Sequence, residues 1–401
     1  MMTHATGREK FVAVLRQIGA AAAVALVVTS AAPAADPPRV RLGKPVEVVV
    51  AGVDVDAVAA LADNESVVLV GGKPRGPADG ELATEDAPPA GAIVNLKTQT
   101  VRLFTNEHTA RIKGVAAAAD GLRIFTVCSD KDPFVRVWGV EAGKPVGPLP
   151  LPQLENYYST HEVACVPGSR KIAVGFRDRV AFIDPDGRER QQDLTAEEFT
   201  DDTPRQLSFS PDGDFLACCN FRKKVVVWDI RIGKVVCSVS LLPDGEDHRD
   251  WSFTNLAFTR DGTRLIASRS GNADEVPNGT AEDKVAPERR GLFVIDIKKQ
   301  QIAPLSMGHQ IHTFAFALHP SGDWIATVGP SRPDGLARKD ATEQVGELRV
   351  YHLPTRSLAH RVQFDDEFFP SKVLFTPNGK RMVAVDVEGK VRSWDFATAG
   401  K

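Results

Sequence analysis

One unit recurs along this chain, and it constrains the fold more than any other feature of the sequence. Its clearest copy is QLSFSPDGDFLACCNFRKKVVVWDI, from Gln206 to Ile230: a β-rich run, an Asp-Gly turn, a second run, a polar turn, and a third run ending in Trp-Asp. Asp212-Gly213 between two such runs is a hairpin signal, because glycine tolerates the positive φ that a tight turn demands. The unit returns from Asn255 to Ser270, with Asp261-Gly262 at its turn and GLFVIDI as its third run after an insertion. It returns again from Ser371 to Phe396, closing on Trp394-Asp395. Weaker copies bring the first turns to seven: Asp63-Asn64, Asp120-Gly121, Gly168-Ser169, Asp212-Gly213, Asp261-Gly262, Ser321-Gly322 and Asn378-Gly379. The third runs end at Asn95, Trp138, Asp184, Trp228-Asp229, Asp296, Tyr351 and Trp394-Asp395.

Turns spaced roughly 45–60 residues apart suit four-stranded blades of ~40–50 residues with insertions. The expected fold is therefore all-β, a seven-bladed β-propeller of four-stranded blades. Runs such as VVVW, LFVI and AFAL are continuously apolar, as strands buried on both faces must be. Six units are followed by a fourth, outer run, whereas the seventh ends seven residues after Trp394. The missing strand is supplied most economically by VEVVV, Val46 to Val50, pairing with the strand that carries Trp394 and leaving no open edge. The Trp residues that end third runs, Trp138, Trp228 and Trp394, are expected to be buried between neighbouring blades.

The SPDG-type turn followed by V-x-V-W-D resembles the WD40 repeat signature, nearly intact in the fourth and seventh units and eroded elsewhere. The chain is similar to a seven-bladed WD40-type propeller of the exported bacterial kind over residues 39–401; a related YVTN or lactonase-like propeller stays open. The resemblance implies a buried hydrogen-bond set of His, Ser/Thr, Asp and Trp in each full repeat. Only His108, Thr126, Asp132 and Trp138 match it residue by residue, and Gly308-His309 is the one full match to the family's Gly-His pair.

The first residues belong to a different kind of segment. Arg8, Lys10 and Arg16 precede the apolar run IGAAAAVALVV, and Ala32-Pro33-Ala34 follows with small residues at the positions a signal peptidase reads. About 11 apolar residues fall short of the ~20 that span a bilayer. Residues 1–34 are thus expected to be a signal peptide, cleaved after Ala34 or Ala35, and residues 35–401 a single propeller domain. The implied location is the periplasm or outside the cell, with no stable membrane insertion after cleavage. A net charge of −3 gives no global basic field, so nucleic acid is not an expected partner.

Three long insertions interrupt the units, all between second and third runs: Gly71–Gly91, Gly271–Arg290 and Gly329–Gly346, in blades 1, 5 and 6. Equivalent loops of a ring leave by one face. Inter-blade loops on that face carry Tyr157, Tyr158, Trp251, Phe368 and Phe369, which are candidate anchors if exposed; inward-folded rings capping the blade ends are the alternative. Chemistry is harder to find. There is no zinc-type His-Glu-x-x-His, no Gly-x-Ser-x-Gly elbow and no calcium-loop pattern around Asp130 and Asp132 or Asp244, Glu246 and Asp247. The expectation is no metal, no cofactor and no catalysis: an interaction scaffold that holds a protein or extended polymer on the insertion face. The alternative is an enzyme or ligand binder of lactonase or quinoprotein type, with Arg205, Asn255 and His312 as scattered candidates around the channel.

Overall fold

The computed structural model describes residues 39–72, 89–104, 107–128, 134–141, 143–150, 162–176, 178–187, 193–199, 204–220, 224–242, 251–271, 291–305, 307–309, 313–331, 344–364 and 367–398. They form seven antiparallel sheets and, among the described residues, a single helical turn at Glu197–Phe199. In order from the inner strand outward, blade 1 consists of Asp54–Ala60, Ser66–Gly72, Pro89–Asn95 and Thr100–Leu103. Blade 2 has Ile112–Ala117, Arg123–Cys128, Phe134–Gly139 and Lys144–Pro150; blade 3 has Val163–Cys165, Ile172–Phe176, Arg179–Ile183 and Leu194–Thr195. Blade 4 has Arg205–Phe209, Phe215–Cys219, Lys224–Asp229 and Lys234–Ser240; blade 5 has Trp251–Phe258, Arg264–Gly271, Gly291–Asp296 and Gln301–Pro304. Blade 6 has Ala315–Leu318, Trp324–Ser331, Val345–His352 and Ser357–Phe364. Blade 7 takes Pro370–Phe375, Arg381–Asp386 and Lys390–Thr398 from the end of the chain.

The outer strand of blade 7 comes from the N-terminal part of the propeller, in two pieces. Val46–Val49 pairs antiparallel with the last strand from Val46↔Ser393 to Val49↔Lys390, and the Val50 N–H continues the ladder to the Gly389 carbonyl at 2.9 Å. Val40–Leu42, which the sequence did not mark as a strand, pairs further along, from Val40↔Thr398 to Leu42↔Phe396. Consecutive inner strands pack against one another around the ring, and Pro370–Phe375 meets Asp54–Ala60 to close it.

At all seven first turns one residue is left-handed: Asn64, Gly121, Gly168, Gly213, Gly262, Gly322 and Gly379, with φ between 60° and 82°. Any larger side chain than Asn would strain there, which is why Asp-Gly marks the turns. Asp212 accepts from the Ser210 hydroxyl at 2.5 Å and from the Asp214 N–H at 3.0 Å, and Asp261 repeats this with Thr259 and Thr263. Asp229 is buried and caps the next turn by accepting from the Arg231 N–H. Asp395 is exposed beside Arg381.

Seven apolar clusters fill the seven blade-to-blade interfaces. Trp138, Trp228 and Trp394 lie in three of them, each at most 4% exposed. Each meets a phenylalanine at or just past the outer strand of the preceding blade: Trp138 stacks on Phe104 at 4.9 Å and Trp228 on Phe199 at 5.6 Å, while Trp394 lies tilted against Phe364 at 6.2 Å.

Two buried polar sets pin blades 2 and 6. In blade 2 the Thr126 hydroxyl lies 2.7 Å from His108 Nε2 and accepts from Trp138 Nε1 at 2.8 Å; Asp132, the fourth member the resemblance implies, lies outside the described residues. Thr126→Val keeps the shape and strands two polar groups at a fully buried position, so it should cost about 1–3 kcal/mol in a denaturant titration. In blade 6 a second set stands where the sequence pattern pointed only to Gly308-His309. There His309 Nε2 is 3.1 Å from the Thr327 hydroxyl and Nδ1 is 3.0 Å from Glu347.

Candidate functional site

Antiparallel order puts the ends of second strands, the starts of third strands and the starts of inner strands on one face. On that face three hairpins are prolonged. The second and third strands pair over seven rungs in blade 1, Ser66↔Asn95 to Gly72↔Pro89, and over eight in blade 6, Trp324↔His352 to Ser331↔Val345. Blade 5 has six, whereas blades 3, 4 and 7 have five and blade 2 has four. The insertions therefore begin later than the sequence suggested, because Gly71–Gly72, Pro89–Gly91, Gly271, Gly329–Ser331 and Val345–Gly346 are strand. Their interiors, 73–88, 272–290 and 332–343, lie outside the described residues.

The candidate anchors divide. Phe368 is 1% exposed; its ring meets Phe364 edge-on at 4.9 Å, and the Arg392 guanidinium lies 4.4 Å over it. It is a cap on the blade 6–7 interface and corrects the expectation of an exposed anchor. Phe369 is half-buried, 6.1 Å from Phe314. Trp251 opens the inner strand of blade 5, paired with Gly271; its side chain, like all of Tyr157, Tyr158 and His312, lies outside the described residues. Asn255 is spent on structure, donating to the Phe316 carbonyl at 2.6 Å and accepting from the Leu256 N–H at 2.9 Å.

The same face surrounds the mouth of the central channel, and the inner strands bring charge to it. Five of them carry a β-bulge close to their starts: between Val55 and Ala57, Ile112 and Gly114, Arg205 and Ser208, Phe253 and Leu256, and Pro370 and Lys372. A bulge adds one residue, tightens the twist and re-aims a side chain, and bulges concentrate beside functional sites. Here the extra residues include Asp56, Lys113, Asn255 and Ser371, together with Gln206, a non-glycine residue held at φ 57°.

Blades 1 and 2 close their charges on one another. Arg111 donates from Nε to Asp56 at 2.5 Å and from Nη2 to the Asp54 carbonyl at 3.3 Å, and Lys113 Nζ lies 3.6 Å from Asp56. Burial raises the Asp54 pKa, opposed by Arg111 and reinforced by Asp56 and Glu388. Glu162, at the start of blade 3, and Lys372, in blade 7, are different. Both are half-buried, and neither makes an ion pair or side-chain hydrogen bond with another of the described residues. Burial pushes the Glu162 carboxyl up to about 7, against the pull of Lys372. Burial likewise lowers the Lys372 pKa, opposed by Asp56 and Glu162. Sequence inspection missed both residues, since each stands alone in its own segment and only the ring relates them. On the opposite face a groove of about 410 Å³ between blades 5 and 6 is lined by Arg260, Arg264 and Arg356; Arg260 is engaged with the Ser321 carbonyl at 3.0 Å.

Among the described residues, no group of three or more His, Cys, Asp or Glu side chains is placed to hold a metal ion, and none of the five cysteines is in a disulfide. No helix of the described residues is long and apolar enough to cross a membrane.

This architecture, seven four-stranded blades in a ring with Trp-Asp strand ends, is that of a β-propeller. A family model for the WD40 repeat (WD domain, G-beta repeat) matches residues 194–229, which run from the outer strand of blade 3 through the third strand of blade 4. Among solved structures it is similar to the β-propeller domain of Cps50 (Swd1) from Myceliophteria thermophila, at 15% identity and a TM-score of 0.55, covering 86% of this chain and 98% of that one. It is also similar to hydrazine synthase from Kuenenia stuttgartiensis, at 13% identity and a TM-score of 0.61, covering 88% and 97%. Likeness at such identities concerns the fold alone. No curated protein matches the chain in sequence.

Proposed function

We propose that this chain is an exported, non-catalytic scaffold that holds a protein or extended polymer on the face carrying the three insertions. One observation carries this: the hairpins prolonged beyond the blade rim are those of blades 5, 6 and 1, neighbours on the ring interrupted only by blade 7. Adding rungs to a hairpin stiffens the base of its loop, so the loops start from rigid supports on one side of the molecule. Loops on a rigid scaffold are where binding residues concentrate. Phe369 stands on this face, at the start of blade 7. Export rests on the basic, apolar and small-residue order of residues 1–34. The WD40 resemblance agrees with a scaffold, although propellers host enzymes as well.

Replacing 73–88, 272–290 and 332–343 with short turns tests the proposal. The trimmed protein should melt with the full chain, because loop closure entropy changes slowly with length. It should also fail to rebind the purified partner that the full chain captures from periplasmic or culture extract. Undiminished rebinding by the trimmed protein would place the surface elsewhere.

A further inference from the structure

We propose that the groove between blades 5 and 6, on the face opposite the insertions, binds a small carboxylate with an apolar body, its chain in the seam and its carboxylate on Arg264 and Arg356. The groove measures about 410 Å³, inside the range of roughly 300–1,000 Å³ typical of small-molecule sites. Its apolar walls are Ile266, Val294 and Leu305 of blade 5 and Leu353 of blade 6. Ile266 and Leu305 are buried, whereas Val294 and Leu353 are only half-buried, so apolar surface faces the groove.

The seam between blades 1 and 2 shows why this one is open. There Arg102, opposite Ile93 in the outer strand of blade 1, reaches across and donates to the carbonyls of Val140 and Glu141. Val140 follows the third strand of blade 2, with its N–H on the Leu122 carbonyl; Leu353 holds the same place in blade 6, with its N–H on the Asp323 carbonyl. In blade 5 the residue opposite Val294 is Ala303, which stands in the place of Arg102. Alanine cannot reach across, so the space between Val294, Leu353 and Pro354 stays open. Leu305, whose N–H bonds to the Leu292 carbonyl, likewise stands where Phe104, bonded to the Gly91 carbonyl, places a ring against Trp138.

Charge decides what the groove takes. Three arginines line it, against the two acids Asp261 and Asp323. Arg260 is held by the Ser321 carbonyl at 3.0 Å, and the Asp261 carboxylate by the Thr259 hydroxyl at 2.6 Å and the Thr263 N–H at 3.1 Å. Arg264 and Arg356 make no ion pair or side-chain hydrogen bond with another of the described residues. Asp261 and Asp296 feel the charge of Arg264 without closing on it. A guanidinium presents a planar fork of donors that matches a carboxylate, and the surplus of guanidinium over carboxylate at the rim selects an anion over a cation. A bare carboxylate leaves the apolar walls wet, and an uncharged chain leaves the two forks to water. A ligand with both parts satisfies the groove.

The test is calorimetric titration of the purified full chain with octanoate, and with acetate, octanol and octylammonium for comparison, all below their micellar concentrations. The expected result is binding of octanoate, about tenfold or more weaker binding of octanol, and none of acetate or octylammonium. Arg264 and Arg356 are exposed, so Arg264→Gln and Arg356→Gln should melt with the parent while each weakens octanoate about tenfold, the worth of a charge-assisted hydrogen bond. Ala303 is exposed too, and Ala303→Arg rebuilds the strut that Arg102 forms in the first seam. It should abolish octanoate binding although it adds a positive charge, whereas attraction by charge alone would make this variant bind tighter. The proposal is overturned if octanoate does not bind, if octanol binds as tightly, or if Ala303→Arg binds octanoate as well as the parent or better. Should a variant lose its cooperative melt, the preference of the parent chain for octanoate over octanol and octylammonium decides alone. The insertions lie on the other face, so the outcome is independent of the scaffold proposal.

Discussion

A chain lacking residues 39–50 should lose its cooperative thermal transition or aggregate at room temperature. The reason lies in where those twelve residues pack. Val40 joins the apolar cluster between blades 6 and 7, while Val48 and Val50 join the one between blades 7 and 1, so one short segment ties blade 7 to both neighbours. All three valines are at most 7% exposed. At about 1.5–3 kcal/mol each, their burial contributes roughly 5–9 kcal/mol. The whole stability of a domain is about 5–15 kcal/mol, so most of it goes with them. The ion pair between Glu47 and Arg392 at 2.6 Å is lost too, at a smaller cost because Glu47 is largely exposed. Worse, Lys390–Thr398 then presents a nine-residue edge of unpaired N–H and C=O groups, a template for another chain. Circular dichroism melting and size-exclusion chromatography of the truncated and full proteins check this. A soluble monomer with the full chain's melting temperature would mean that the N-terminal strands decorate the ring and do not close it.

Closure by Val46–Val50, the seven units and their order were legible in the sequence because each rests on local chemistry. A turn that needs a left-handed residue selects Asp-Gly within four residues, and a strand buried on both faces selects an unbroken apolar run. What escaped the sequence depends on contacts between blades. Val40–Leu42 alternates Val, Arg and Leu beside a Gly-Lys-Pro break and shows itself as a strand only because Phe396–Thr398 lies alongside. Phe368 reads as an exposed ring in the acidic stretch DDEFF, yet Phe364 and Arg392 enclose it, and Arg392 belongs to a strand of the next blade. The rings that meet the three Trp side chains, Phe104, Phe199 and Phe364, follow no shared local motif.

Glu347→Ala should be the most damaging single substitution considered, costing about 3–5 kcal/mol, the range for breaking a buried ion pair from one side. The carboxylate is completely buried and holds three partners: His309 at 3.0 Å, Arg349 at 2.6 Å and Arg361. Burial alone would raise its pKa, but the bonds from His309 and Arg361 and the charge and bond of Arg349 outweigh that and hold it down at about 2. Burial lowers the His309 pKa, its largest influence, against the pull of Glu347, so the ring is neutral; Nδ1–H then donates to Glu347 and Nε2 accepts from the Thr327 hydroxyl. Removing the carboxylate leaves the Nδ1 proton unpaired and Arg349, itself only 13% exposed, without its counter-charge. Arg349 also donates to the Gly308 carbonyl at 2.8 Å, as does the Tyr351 hydroxyl, so the disturbance reaches the connection from blade 5. Glu347→Gln keeps an acceptor for His309 and loses only the charge, so it should cost less than Ala. The pH dependence has a definite sign. A carboxyl whose folded pKa lies below its ordinary 4.5 contributes stability that is complete above about 4.5 and disappears as pH falls through about 2. The stability gap between the parent chain and Glu347→Gln, measured by urea titration, should therefore be widest at neutral pH and narrow steadily below about 4.5. A gap that stays constant down to pH 2 would mean that shape alone, and not the charge of Glu347, holds blade 6 to its neighbours.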